Sequence, residues 1–335
     1  REARWYEYDR EGDLVRCLLC PQGCRLKAGQ TGVCRVRRRE GEKLFTVNYG
    51  RVTALALDPI EKKPLYHFHP GSAILSAGTF GCNLACGFCQ NWRISQEEAP
   101  SEFIPPARLV ALAERERAAG NIGLAYTYSE PSVWWEYLMD AAPLARERGL
   151  VNVLVTNGYL NRGPLLDLLP YLDAVNMDLK GPDEFYRRIC HGRLGPVQAF
   201  AEAVLEAGVH LELTNLIIPG YNDTEEELSA LVDWVAGLDP GIPLHFSRYF
   251  PQYRFTAPPT PMESLRRAYE LARERLDFVY LGNVAGPLGR DTFCPRCGEL
   301  LVRREGFRAE IVGLSGERCG RCGEAARIVL SADEA

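Results

Sequence analysis

No apolar run in this chain approaches the roughly 20 residues that a membrane-spanning helix needs, and no charged-then-apolar leader follows Arg1. No membrane partner is therefore expected. An excess of positive charge is lacking too. The formal net charge is −5, which argues against a surface that coats nucleic acid generally and leaves local patches open. No G-x-G-x-x-G follows the first strand-like run at residues 74–77, which weakens a dinucleotide-binding open sheet. Cysteine is plentiful, but it lacks the scatter of a disulfide framework in a secreted protein. The twelve fall as Cys17, Cys20, Cys24 and Cys34; Cys82, Cys86 and Cys89; Cys190 alone; and Cys294, Cys297, Cys319 and Cys322. Tight C-x2-C steps of this kind read as metal sites in a reducing compartment, so a cytoplasmic protein is expected.

The stretch with most chemistry runs from Gly81 to Trp92, where three cysteines spaced C-x3-C-x2-C follow an apolar run ending in Gly78-Thr79-Phe80. Three thiolates this close in sequence can converge only if the backbone loops around a central body. At this density they select zinc, Cu(I) or an iron–sulfur cluster. A structural zinc site or an electron-transfer cluster takes four protein ligands. Three leave one metal position open. A zinc site completed by a distant His is the plainer alternative.

A length of 335 residues leaves room for one large domain and small appendages. Residues 1–42 read as a Cys-rich metal-binding module. In it Cys17, Cys20, Cys24 and Cys34 form a closed site, with zinc slightly favoured over a second iron–sulfur cluster. Seven basic residues from Arg16 to Arg39, with no acidic one among them, make either a solvated face or a footprint for RNA or an acidic partner. Residues 43–72 read as a β-hairpin connector, its runs at 44–47 and 52–57 folding about Asn48-Tyr49-Gly50.

From 73 to 286, strand-like and helix-like runs alternate, with six strands and 278–281 as a possible seventh. Such alternation gives an α/β fold with a parallel sheet and outer helices, here a partial (β/α)6 TIM-like barrel. Its active site belongs at the C-terminal strand ends. Ser129 and Glu130, Thr156 and Asn157, Asp178 and Lys180, and His245 stand at those ends. His67 and His69 read as strand-edge residues and Cys190 as buried filler. Residues 287–335 carry two C-x2-C-G knuckles, Cys294/Cys297 and Cys319/Cys322. These signal a zinc ribbon ahead of a rubredoxin-like iron site.

Cys82-x3-Cys86-x2-Cys89, Ser129-Glu130-Pro131, Thr156-Asn157-Gly158 and Asn176-Met177-Asp178-Leu179-Lys180 together resemble the radical S-adenosylmethionine (SAM) superfamily, near the pyruvate formate-lyase activating enzymes. With its four-Cys head, the Pro59–Phe68 segment and the two-knuckle tail, the whole chain more closely resembles the AmmeMemoRadiSam-system radical SAM enzymes. The resemblance implies a [4Fe-4S] cluster on Cys82, Cys86 and Cys89 whose free iron chelates SAM. It puts Phe88 beside the adenine and Glu130 at the SAM amino group. Thr156 joins the cofactor site, with Asn157, Asp178 and Lys180 serving the ribose hydroxyls and carboxylate, and His245 the adenine or the pocket shape. Ser129 stands where the family carries Gly-Gly before the glutamate, and Val155 replaces an acidic residue.

The activity so implied is reductive cleavage of SAM to a 5′-deoxyadenosyl radical, fed by an external electron donor. The radical takes hydrogen from a substrate, a macromolecule such as RNA or protein. A glycyl-radical-enzyme activase acting on a protein partner and a non-catalytic metal-binding scaffold are the rival readings.

Overall fold

The computed structural model describes residues 1–97 and 99–330, so the end of the tail module, residues 331–335, lies outside the described residues. Its centre is one sheet of eight strands: β1 (Ala54–Pro59), β2 (Ala73–Gly78), β3 (Asn121–Tyr126), β4 (Val151–Thr156), β5 (Ala174–Asp178), β6 (His210–Ile217), β7 (Leu244–Arg248) and β8 (Val279–Gly282). They lie side by side in chain order. β2 to β8 are all parallel, and β1 closes one edge antiparallel to β2. Parallel strands covered on both faces read as unbroken apolar runs. β2 shows this, buried from Ile74 to Gly78.

Six helices carry the chain back between strands: α1 (Pro106–Arg115), α2 (Trp135–Glu147), α3 (Arg162–Leu168), α4 (Leu194–Glu206), α5 (Glu225–Leu238) and α6 (Met262–Arg273). α6 buries Leu265, Ala268 and Ala272 along one stripe, the helical spacing that lays an amphipathic helix on a sheet. α5 starts with a capping box in which Thr224 and Glu227 satisfy each other's backbone N–H groups. The result is six βα units and a seventh parallel strand, open between the β1 and β8 edges: a partial barrel. Strand register sets Asp178 beside Thr214 and Thr214 beside His245, so residues distant in sequence share the C-terminal rim.

The two end modules attach differently. At the N-terminus, three short antiparallel strands (Tyr6–Asp9, Leu14–Cys17, Arg25–Leu26) bring Val15, Cys17, Leu19 and Leu26 into the same hydrophobic core as the barrel. At the C-terminus, antiparallel strands at Leu300–Glu305 and Arg308–Ile311 enclose a core of their own with Ala326 and Ile328.

The connector is not one hairpin. Lys43–Thr46 pairs with Arg37–Glu40 across Gly41 (φ +60°), whereas residues 54–59 pair with β2. The free edge of β2 offers the second run a longer ladder than its neighbour could. Among the described residues no helix is long and apolar enough to cross a membrane.

Candidate active site

The loop after β2 is pinned before it reaches its cysteines. Gly81 has φ +95°, and a Cβ there would come within 2.6 Å of the Cys34 carbonyl oxygen. Only glycine permits that approach. Cys82, Cys86 and Cys89 then line one side of a cavity of about 970 Å³. The Leu84 N–H and the Asn157 amide lie 3.4 and 3.5 Å from the Cys82 sulfur, and the Ser95 hydroxyl lies 3.2 Å from that of Cys89. Burial pushes the Cys82 thiol up, helped by the Glu130 charge. A hydrogen bond from Cys190 holds the Cys86 thiol down, against burial and with help from Lys180. Cys190 is thus buried, as expected, but against the cysteine loop rather than in inert core.

Phe88 of the cysteine loop and the residues predicted at the strand ends, Ser129, Glu130, Thr156, Asn157, Asp178, Lys180 and His245, all border this cavity. Their present partners differ. Glu130 is buried and accepts from Thr156 Oγ1 at 2.6 Å, Asn157 N at 2.8 Å and Ser132 N at 2.9 Å. These bonds tie the end of β3 to the end of β4. Burial raises its pKa, and the hydrogen bonds oppose that rise. A carboxylate has about four acceptor positions, and these three bonds leave one, which the Ser132 hydroxyl shares with the cavity. Asn157 spends its side chain on Cys82, Asn83 and the Tyr159 N–H, which orients the loop.

Lys180 Nζ sits 2.6 Å from Asp178 Oδ2. Burial opposes the ammonium, but Asp178 and Cys86 outweigh it and its pKa lies well above the ordinary value. The Asp178 side chain is 41% exposed, that of Lys180 only 13%. This is a pair set into the cavity wall, not a surface ion pair.

His245 is held by a residue that the sequence reading missed. Glu212, fully buried on β6, takes His245 Nε2 at 2.6 Å, His210 Nε2 at 3.0 Å, and the backbone N–H groups of Tyr66 and His67 at 3.0 and 2.7 Å. Those donors keep it well below the usual carboxylate range although burial pulls the other way. An acidic residue inside an apolar parallel strand was the available signal.

A second missed group is Asp58 with Lys63, 2.6 Å apart and both nearly sealed from solvent (7% and 3% exposed). Tyr128 donates to the same Asp58 oxygen at 2.6 Å. Lys63 reaches the cavity from the segment read as a connector. Gly306 and Phe307, at the tip of the C-terminal hairpin, border the cavity from outside the barrel.

The basic head, read as either a solvated face or a footprint, is largely paired with acidic groups. Arg37 and Arg39 are buried, the first on Glu136 of α2 at 2.6 Å and the second on Asp13. Arg16, Arg25 and Arg38 pair with Glu7, Asp9 and Glu40. The run has no acidic residue of its own, but folding supplies them from both flanks.

None of the twelve cysteines is in a disulfide. The sulfurs of Cys294, Cys297, Cys319 and Cys322 lie within 4.8 Å of one another, a set that could hold a metal ion.

Comparison with known proteins agrees with the geometry. The family model described as the radical SAM superfamily matches residues 77–235. An uncharacterized protein of Methanocaldococcus jannaschii is 44% identical over 98% of this chain and 100% of its own length. The pyruvate formate-lyase-activating enzyme of Clostridium pasteurianum is 26% identical over 47% of this chain and 67% of its own. Among solved structures, a radical SAM methyltransferase from Sphaerobacter thermophilus superposes with a TM-score of 0.49 at 15% identity, covering 85% of this chain and 77% of that one.

Proposed function

The chain belongs to the radical SAM superfamily, whose members are enzymes, and we propose that it cleaves SAM reductively in the strand-end cavity and takes a hydrogen atom from a macromolecular substrate. One observation carries the reading. The three thiols of the cysteine loop, the Glu130 carboxylate and the Asp178–Lys180 pair border a single cavity. The scaffold alternative falls with family membership.

Cys82, Cys86 and Cys89 would hold a [4Fe-4S] cluster. Their fit is supported by the donors aimed at sulfur and by sulfurs that do not crowd as they would around one ion. Such a cluster, when bound and reduced, supplies one electron that splits the sulfonium S–C5′ bond into methionine and a 5′-deoxyadenosyl radical. The chain's own groups bind and orient. The remaining acceptor position of Glu130 suits the SAM ammonium, and Lys180 suits its carboxylate. Glu212 fixes the His245 ring edge-on to Tyr66, with ring centres 4.8 Å apart. Phe88, 5.7 Å from both Phe185 and Phe255, makes an apolar wall that keeps water from the reacting centre.

Zinc suits the C-terminal quartet. Two sulfur pairs stand 3.6 Å apart, near the ~3.8 Å that a tetrahedron with Zn–S of about 2.3 Å requires. Twelve cysteines without a disulfide suit a reducing cytoplasm.

Five of the seven basic residues of the head are paired with acidic groups, which weakens the support that the head lends to RNA. Likeness to an activating enzyme favours a protein substrate as the second reading, which expects a glycyl electron-spin signal on a partner chain. For the main reading, SAM added to the dithionite-reduced enzyme is expected to alter the electron-spin spectrum of the cluster. Lys180→Ala is expected to raise the SAM concentration needed by about tenfold or more. A spectrum indifferent to SAM overturns it.

A further inference from the structure

The four N-terminal cysteines fold back on one another: the Cys17 N–H donates to the Cys24 carbonyl at 2.9 Å, and a Cβ on Gly32, two residues before Cys34, would lie 3.4 Å from the Cys24 sulfur. Three are buried and Cys24 is half-buried. Yet among the described residues only the C-terminal quartet draws its sulfurs within 4.8 Å of one another. The chain therefore supplies its own yardstick. A single tetrahedral ion brings four sulfurs almost into contact, as at Cys294, Cys297, Cys319 and Cys322. A cube of irons and sulfides holds its thiolates farther apart. No three of the N-terminal sulfurs lie within 4.8 Å of one another, and the same holds for the cysteines of the active-site loop.

We propose that Cys17, Cys20, Cys24 and Cys34 hold a second four-iron cluster rather than zinc, set directly behind the active-site loop. Position supports a working role. Gln22, between Cys20 and Cys24, donates from Nε2 to the Asn83 carbonyl at 2.9 Å and to the His191 carbonyl at 2.8 Å. Asn83 follows Cys82 and His191 follows Cys190, so one side chain bridges both modules at the cysteines themselves. Cys34 also shares a small core with Phe80, two residues before Cys82. A cluster there serves as a one-electron relay. A low-potential one-electron donor is oxidised, the N-terminal cluster accepts the electron and passes it to the active-site cluster, and no proton moves. The relay, though not the cluster, rests on the function proposed above.

The test is the triple variant Cys82→Ala/Cys86→Ala/Cys89→Ala, reconstituted anaerobically with iron and sulfide. It is expected to keep about four irons and about four sulfides per chain, plus about one zinc, and to show a cluster electron-spin signal on reduction. A variant without iron and with about two zinc per chain overturns the proposal. Should the variant not fold, the wild type decides: about eight irons per chain supports the second cluster and about four refutes it. Wild type with about four irons that still forms 5′-deoxyadenosine sinks this proposal alone. About eight irons without that product sinks only the function reading.

Discussion

The chain carries four thiols at each end, and the two sets are built on different terms. The C-terminal sulfurs nearly touch, in pairs 3.6 Å apart, around a core that belongs to their own module. No three of the N-terminal sulfurs lie within 4.8 Å of one another, and the residues around them are continuous with the barrel core. The first arrangement is a clamp fastened to a finished barrel, and the second is part of the barrel wall beside the active-site loop. Cysteine number is identical in the two. Sulfur spacing and core continuity separate their roles.

The strongest way to break this contrast is to remove thiols from each end in turn. With zinc at the C-terminal quartet, as proposed, Cys294→Ser/Cys319→Ser is expected to remove it at a cost on the order of 10–16 kcal/mol. Trypsin should then cut within residues 292–330 while the main unfolding transition stays in place. Cys17→Ser/Cys24→Ser should instead lower that main transition. Equal effects on it from both variants would erase the distinction.

Next come the buried arginines that fasten each module. Arg37→Met strands the Glu136 carboxylate, both side chains being 2% exposed or less. It is expected to cost about 3–5 kcal/mol in urea unfolding, most of it recovered in Arg37→Met/Glu136→Leu. Arg304 donates to the Tyr66 carbonyl at 2.6 Å and to Thr292 Oγ1 at 2.8 Å. Arg304→Met is expected to cost about 1–3 kcal/mol, seen as earlier ribbon proteolysis with the main transition unchanged.

The mildest effect is acid sensitivity at the ribbon joint. His67 is fully buried between Tyr280 and the Arg327 carbonyl, and burial pushes its pKa down to about 3. The unfolded chain takes up a proton below pH ~6.5 and the folded chain does not. Stability is therefore whole above that pH and drains as pH falls toward 3. About 2 kcal/mol should be lost between pH 6.5 and 5, and His67→Gln should flatten that part of the profile. An unchanged slope would mean that the ring is protonated in the fold.

How much of this was legible beforehand follows physical lines. The parallel sheet and its rim could be read because apolar runs alternate with helical stripes and polar residues interrupt at strand ends, as at Asp178 and Lys180. Asp58 and Lys63 could not, since charge alone suggested solvent, whereas Glu212 left a signal as an acidic residue inside an apolar strand. The pairing of the basic head was hidden too: Glu136, which pairs with Arg37, is 99 residues away. The spacing C-x2-C-x3-C-x9-C sets how the backbone loops, not how far apart the sulfurs come to rest, so zinc and cluster looked alike. His67 sits in no strand. Alternation with aromatics suggested an edge, where folding makes a buried joint.

The central claim is that the three-thiol loop and the strand-end groups form one SAM-cleaving site. Anaerobic enzyme with a full complement of iron, reduced with dithionite and given SAM, tests it most directly. 5′-Deoxyadenosine and methionine are expected in equal amounts from the wild type, with neither from Cys86→Ala. Intact SAM in the presence of the fully loaded wild type, or equal product from the variant, would contradict it.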